Sequence, residues 1–246
     1  MRRSCEHRLV LGQVKVDTKS NEITAIPKLL DVLELAGCII TIDAMGCQKE
    51  IAAQIIDKKA DYVLALKGNH GKLCSEVTHW FEQARQNGFF GIEHSYYQTT
   101  ESGHGRIEIR QYWSVPISKL GGLTNQEQWS CLQSVGMVVC ERRLWNKTTL
   151  EVRFYISSLK SDAKVLAQAV RSHWGIENSL HWVLDVTFDE DASRIRKDNA
   201  PENFAILRHI ALNLLSRDKT VRGSISMKRY RAGLDNKYLA KVITAV

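Results

Sequence analysis

CIITIDAMGCQKEIAAQIIDKKADYVLALKGNHG, residues 38–71, decides the fold. Residues 38–42 are apolar and β-branched, the pattern of a short strand buried on both faces. Asp43 stands at the carboxyl end of that strand, and Ala44-Met45-Gly46 makes a turn. Residues 48–59 follow with helical spacing, and 61–67 (DYVLALK) repeat the apolar strand pattern. Strand, helix, strand at this spacing predicts parallel strands with helices on the sheet faces. In such sheets ligands gather beyond the carboxyl ends of the strands, where Asp43 and Lys67 both fall. An Asp in that place also serves as an ordinary turn or N-cap residue, so position alone does not assign it chemistry.

Working outward, residues 8–16 (RLVLGQVKV) alternate loosely and read as a further strand. A polar turn at 17–20 leads into a helix at 21–36, entered or broken near Pro27 and stopped by Gly37. On the other side, 72–86 is a helix carrying Trp80 and Phe81. From 91 to 158 the texture changes. Residues 96–100, 106–115, 128–143 and 148–157 read as short strands, with Gly103, Gly105, Gly121, Gly122 and Asn146 supplying turns. This is an all-β segment set between the α/β part and a helical remainder.

That remainder opens with a helix for which Ser161 is the expected N-cap. Successive residues placed 100° apart put Leu166, Ala169, Val170, Trp174, Ile176, Leu180, Val183 and Leu184 on one broad apolar arc. Glu177 falls inside that arc, flanked by His173 and His181 at i−4 and i+4. A carboxylate facing a core must be neutralised, hydrogen-bonded or bound to a cation. An Arg or Lys partner, or a frayed helix end open to water, would satisfy Glu177 as a metal would. Zinc held by His173, Glu177 and His181 is the rival metal reading. The two histidines lie two turns apart, roughly 12 Å by helix rise, which argues against one ion touching both. Gly175 inside a helix costs about 1 kcal/mol relative to Ala, and predicts the close approach of another backbone or a ligand. Pro201 and Glu202 then open a helix to residue 216, with Phe204, Leu207, Ile210, Ala211, Leu214 and Leu215 as its apolar side.

The 246 residues are enough to bury a sizeable core. The net charge of +7 is unevenly placed. From Ala192 onward twelve Lys and Arg face four acids, so this region carries +8 and the remainder is about neutral. A basic region on a neutral body points to a polyanion partner, with Arg194, Arg196, Lys197, Arg217, Lys228, Arg229 and Arg231 as candidate phosphate contacts. A solvated helical face is the blander account of the same charges. The six cysteines are scattered with no CxxC pair, which fits a reducing cytosol and excludes a disulfide framework or zinc knuckle. No apolar run approaches about 18 residues, so no membrane span is expected. The start, MRRSCEHR, lacks the apolar region of a signal peptide.

TIDAMGCQKEIA (41–52), DYVLALKGNHG (61–71), SGHGRIEIR (102–110), RSHWGIENSLHWVLDVTFDED (171–191) and RIRKDNAPENFAILRHIALNLL (194–215) together resemble the DDE transposases of bacterial insertion sequences. The likeness is strongest to the family that includes the H-repeat-associated proteins found beside Rhs elements. It implies an RNase H-like α/β catalytic core with an all-β insertion and a helical basic C-terminal region. The implied layout is a partial core at 1–90 and the insertion at 91–158. Helices at 159–216 complete the core, and 217–246 form a basic tail. By matching motif, Asp43 is the second catalytic Asp and Glu177 the catalytic Glu. The family chemistry is Mg²⁺- or Mn²⁺-dependent cutting and joining of DNA, on transposon ends and target. The resemblance also implies copies assembled on DNA and a cytoplasmic, nucleoid-associated protein without a membrane. Related families place Tyr and Arg ahead of the Glu and Lys after it, where this chain has Val170, His173 and Leu184. His173 thus becomes a candidate phosphate contact in place of the Arg. The family's first catalytic Asp, in an Asp-Gly-Lys context, has no match here, and Asp17 does not fit that motif. The chain therefore reads as an amino-terminally truncated copy, with a catalytically incomplete site. The alternative is a non-catalytic DNA-binding remnant that competes with intact transposase.

Overall fold

The computed structural model describes residues 10–14, 22–103, 105–176 and 180–244. The chain divides into two compact units, Val16–His173 and, together, Met1–Lys15 with Trp174–Val246.

The first unit is a mixed α/β structure built on one six-stranded sheet. Its strands are β1 (Ile39–Ile42), β2 (Asp61–Leu66), β3 (Ser95–Gly103), β4 (Arg106–Pro116), β5 (Ser134–Leu144) and β6 (Lys147–Ser157), in spatial order β1-β2-β6-β5-β4-β3. The helices are α1 (Glu22–Asp31), α2 (Lys49–Asp57), α3 (Gly71–Gln86) and α4 (Ala163–Ile176), whose last turn counts with the other unit. Among the described residues β1 and β2 pair in parallel, with Ile40 opposite Tyr62. Every further pairing is antiparallel, because β3-β4 and β5-β6 are hairpins and β6 returns against β2. The described part of the strand expected at 8–16 is not strand. Val10 makes an isolated bridge and 11–14 have no strand, while 8–9 and 15–16 lie outside the described residues. The Val10 N–H and C=O instead bond the Asn213 side-chain amide at 2.9 and 2.8 Å, which replaces a neighbouring strand.

Alternation along the strands gives the sheet two apolar faces. On one, Tyr62, Leu64, Val135, Met137 and Ile156 pack with Ile51 and Ile55 of α2 and Val77 and Phe81 of α3. On the other, Val63, Tyr112, Val138 and Tyr155 pack against Ala163, Leu166, Ala167, Ala169 and Val170 of α4. Each fully buried side chain of this size contributes about 1.5–3 kcal/mol. α4 comes close enough to β5 that a Cβ added at Gly136 would lie 2.5 Å from Leu166 Cδ2. β1 is less buried than its composition suggests. Only Ile40 is covered and Ile39 is 42% exposed, because β1 is the edge strand of the sheet.

Among its described residues the second unit holds the helices α5 (Trp182–Phe188), α6 (Ala200–Arg217), α7 (Ile225–Leu234) and α8 (Asn236–Thr244). Val10, Leu180, Leu184 and Leu212 make one core cluster, and Leu215, Ala232, Tyr238 and Val242 another. Ser224 caps α7 by accepting from Met227 N–H at 3.2 Å.

Three helix expectations are corrected. α4 is capped by Asp162, which accepts from Lys164 and Val165 N–H at 2.8 and 3.0 Å, while the Ser161 hydroxyl is buried without a hydrogen-bond partner among the described residues. The apolar arc is split between two cores. Leu166, Ala169 and Val170 cover the sheet, Leu180 and Leu184 belong to the second unit's core, and Trp174 is 40% exposed. In α6 the expected apolar side is only partly buried: Leu215 is in the core with Leu214 packed against it, while Phe204, Leu207 and Ile210 stand open to solvent, and His209 and Leu212 are buried instead. Among the described residues nothing lies within 4 Å of a Cβ placed at Gly175. No helix among the described residues is long and apolar enough to cross a membrane.

Candidate functional site

The first unit carries the strand-end constellation. Asp43 follows β1 directly and is exposed. Its Oδ1 accepts from the Met45 and Gly46 N–H groups at 3.2 and 3.3 Å, an Asx-type turn that turns the chain back toward α2. Glycine at position 46 leaves room for its neighbours, since a Cβ there would lie 2.3 Å from Ile42 Cγ2 and 2.7 Å from Ile26 Cδ1 and would force them to shift. The turn is stapled from the end of β2. Asn69 Nδ2 donates to Ala44 O at 2.6 Å, and the His70 ring nitrogen contacts Cys47 O. His70 in turn stands edge-on to Trp129 at 5.5 Å between ring centroids. Lys67, at the end of β2, is exposed. On the α4 side of the same sheet, His173 Nδ1 contacts Thr41 Oγ1 at 3.3 Å. His173 thus lies against the strand that ends in Asp43.

The arrangement presents one exposed carboxylate, held by its own turn and by two side chains from the neighbouring strand end. One such carboxylate, with waters and phosphates, is the kind of partial oxygen set that Mg²⁺ accepts. Among the described residues no group of three His, Cys, Asp or Glu could hold a metal ion. Glu177 lies outside the described residues, as do Asn178 and Ser179. Cys47 beside the turn is no nucleophile. Burial, and then the neighbouring Cys74, push its thiol up to about 12, so it stays protonated. Asn69, His70 and Thr41 were not singled out in the sequence. The Gly-Asn-His-Gly loop at a strand end was the available signal.

The second unit holds the basic residues. Arg194, Arg196 and Lys197 are exposed in the loop between α5 and α6, where Arg196 Nη1 donates to Ser193 O at 2.8 Å and Ile195 O at 2.9 Å. Arg217 is exposed at the end of α6. Arg229 bonds Thr187 O and lies over the Phe188 ring at 5.2 Å, and Arg231 lies over the Tyr238 ring at 5.0 Å. Lys228 departs from the reading of this set as surface cations. It is 6% exposed, and its Nζ donates to Leu215 O at 3.1 Å and Asp218 O at 2.6 Å, within 3.8 Å of Asp218 Oδ2. Its charge holds the end of α6 and is turned away from solvent. Nearby, burial pushes the Glu190 carboxyl up, opposed by Arg208 at 3.7 Å, and burial pushes the His209 imidazole down.

Comparison with known proteins gives the family of this α/β chain. The chain belongs to the transposase DDE domain family, whose model matches residues 5–214. It is 44% identical, over 98% of its own length and 62% of the relative's, to "Putative transposase YncI" of Escherichia coli O157:H7. It is 43% identical, over 98% of its own length and 64% of the relative's, to "H repeat-associated putative transposase YhhI" of Escherichia coli strain K12. The chain thus spans less than two thirds of the length of these relatives.

Proposed function

We propose that this chain is the catalytic-domain portion of a DDE transposase acting on insertion-sequence DNA, with Asp43 and Glu177 as two carboxylates of its divalent-metal site. The observation that carries the reading is the Asp43 turn. An exposed carboxylate at a strand end is fixed by Met45 and Gly46 N–H and stapled by Asn69, in a chain of this family. The parallel β1-β2 pair with its α2 crossover supports an RNase H-like core, and β3–β6 then form the inserted β-rich segment. Asp43 and Glu177 would hold Mg²⁺ or Mn²⁺. When bound, such ions polarise the phosphoryl group and activate the attacking oxygen. The chain's own residues position the DNA. His173, beside Thr41, contacts a phosphate near the Asp43 turn. Arg194, Arg196, Lys197, Arg217, Arg229 and Arg231 follow the phosphate backbone, each adding about 0.9 to the magnitude of the log–log salt slope.

A second reading is a chain that binds element ends without cutting them and so competes with complete transposase. It rests on the family resemblance alone, in which no residue within 1–246 takes the place of the first Asp. The test is purified protein with Mg²⁺ or Mn²⁺ and DNA carrying element ends. We expect binding without cleavage by residues 1–246. Cleavage that disappears in both Asp43→Ala and Glu177→Ala would show that a third ligand lies within them, and would reject the second reading. Absence of salt-sensitive binding would reject both.

A further inference from the structure

We propose that the α4-side face of the β3–β6 hairpins is a second contact surface for the DNA phosphate backbone, organised by the buried Glu108. The proposal rests on the reading of the chain as DNA-binding.

Glu108 lies in β4, 3% exposed, directly opposite Glu101 of β3 and Arg142 of β5. Two carboxylates side by side across strands repel, and a buried one must be paired. Glu108 receives three guanidinium groups. Arg110 Nη2 bonds one oxygen, and Arg106 Nε at 3.3 Å and Arg142 Nε at 3.0 Å share the other. Arg110 also bonds Glu101 at 3.0 Å, and Arg171 reaches Glu101 from α4 at 2.8 Å. Four arginines therefore face two glutamates. Strand register puts Lys147 on the same face, since Leu144 lies opposite both Arg106 and Lys147.

Neutralising Glu108 needs one arginine, and Arg110, with only 14% of its side chain exposed, supplies it. Arg106 and Arg142 are the surplus. Each is tethered through Nε and keeps 49% or 50% of its side chain in solvent; Arg171 keeps 45%. A guanidinium held at Nε presents its two Nη groups as a fork, the geometry that grips phosphate oxygens. The tether also removes much of the side-chain freedom that binding would otherwise cost. Arg106 and Arg142 meet at one Glu108 oxygen, so their guanidinium groups form one compact cationic cluster for the phosphate backbone. Glu108 touches no ligand in this scheme and acts as the positioning residue.

The test is duplex DNA binding by the full chain across salt concentrations. In R106A/R142A, where Glu108 keeps Arg110, we expect the salt-slope magnitude to fall by about 2 and affinity at ~150 mM salt to weaken on the order of tenfold. R106K/R142K, which keeps the charge, retains the slope. Should the alanine variant not fold, phenylglyoxal modification of the unaltered chain carries the same test, with DNA protecting Arg106 and Arg142. Equal modification with and without DNA, or an unchanged slope in a folded R106A/R142A, overturns this surface while leaving the DNA reading intact. Protection by an acidic peptide but not by DNA also overturns it. Loss of all salt-sensitive binding in the unaltered chain would instead remove the DNA reading beneath it.

Discussion

Replacing Lys228 by methionine separates the structural cations of the basic region from those that face DNA. Lys228 is buried, donates to two main-chain carbonyls and lies beside Asp218. Asp218 is itself 4% exposed, and it accepts from Tyr238 Oη at 2.7 Å and from Thr220 Oγ1 and N–H at 2.6 and 2.9 Å. Burial pushes the Asp218 carboxyl up, but the hydrogen bonds from Thr220 and Tyr238 and the Lys228 charge outweigh it and hold it at about 2. Burial, and then the bond to Asp218, push the Tyr238 phenol up to about 12. Removing one member of a buried ion pair costs about 3–5 kcal/mol. Asp218 keeps three hydrogen bonds in the variant, so we expect a loss near the lower end, about 3 kcal/mol, in urea unfolding. The sign in pH follows from the depressed carboxyl. Its stabilisation is present above the ordinary value of 3.8 and is lost as pH falls toward about 2. K228M raises that carboxyl, so acid unfolding begins at a higher pH. The DNA salt slope should not change. A slope reduced by about 0.9 with stability unaffected would show that Lys228 reaches phosphate, and would refute the assignment.

Asn69→Ala leaves the Ala44 carbonyl with only the longer bond from Cys47 N–H at 3.3 Å, a loss of about 0.5–1.5 kcal/mol readable in thermal melting, and an unchanged melt would remove Asn69 from the Asp43 staple. His209 is buried with its imidazole pushed down, so the unfolded chain binds the extra proton, and stability should fall as pH drops below 6.5. His209→Phe should flatten that slope; the same slope in the variant would place its source elsewhere. Gly136→Ala sets a Cβ against Leu166 and should cost about 1–3 kcal/mol, less in a Leu166→Val background; equal losses in both backgrounds would contradict the contact.

The strand–helix–strand at 38–71 was legible because local pattern decides it: mostly apolar runs of four to six residues, each followed by a turn. The four hairpin strands were legible for the same reason, although the start of β5 was not. Residues 128–133, which read as strand, form turns that lead to Ser134. Asp43's place at a strand end followed directly. Its staple did not, since Asn69 and Ala44 meet only once β1 and β2 pair. Periodicity names apolar faces without saying what covers them. On α6 the expected side holds at Leu214 and Leu215, yet Phe204, Leu207 and Ile210, with the same spacing, are exposed while His209 and Leu212 are buried. The burial of Lys228 is equally invisible to a charge count, because it depends on a carbonyl-lined helix end brought to it by α7.

Divalent-metal binding by the full chain tests the account at its centre. Mn²⁺ is titrated into the unaltered protein and followed by the loss of free Mn²⁺ signal in electron paramagnetic resonance, without DNA and without any requirement for cleavage. The account expects a saturable site that is lost or strongly weakened in both Asp43→Asn and Glu177→Gln, with both variants folded. Mn²⁺ affinity unaltered by either substitution would contradict the assignment of these two carboxylates to one metal site.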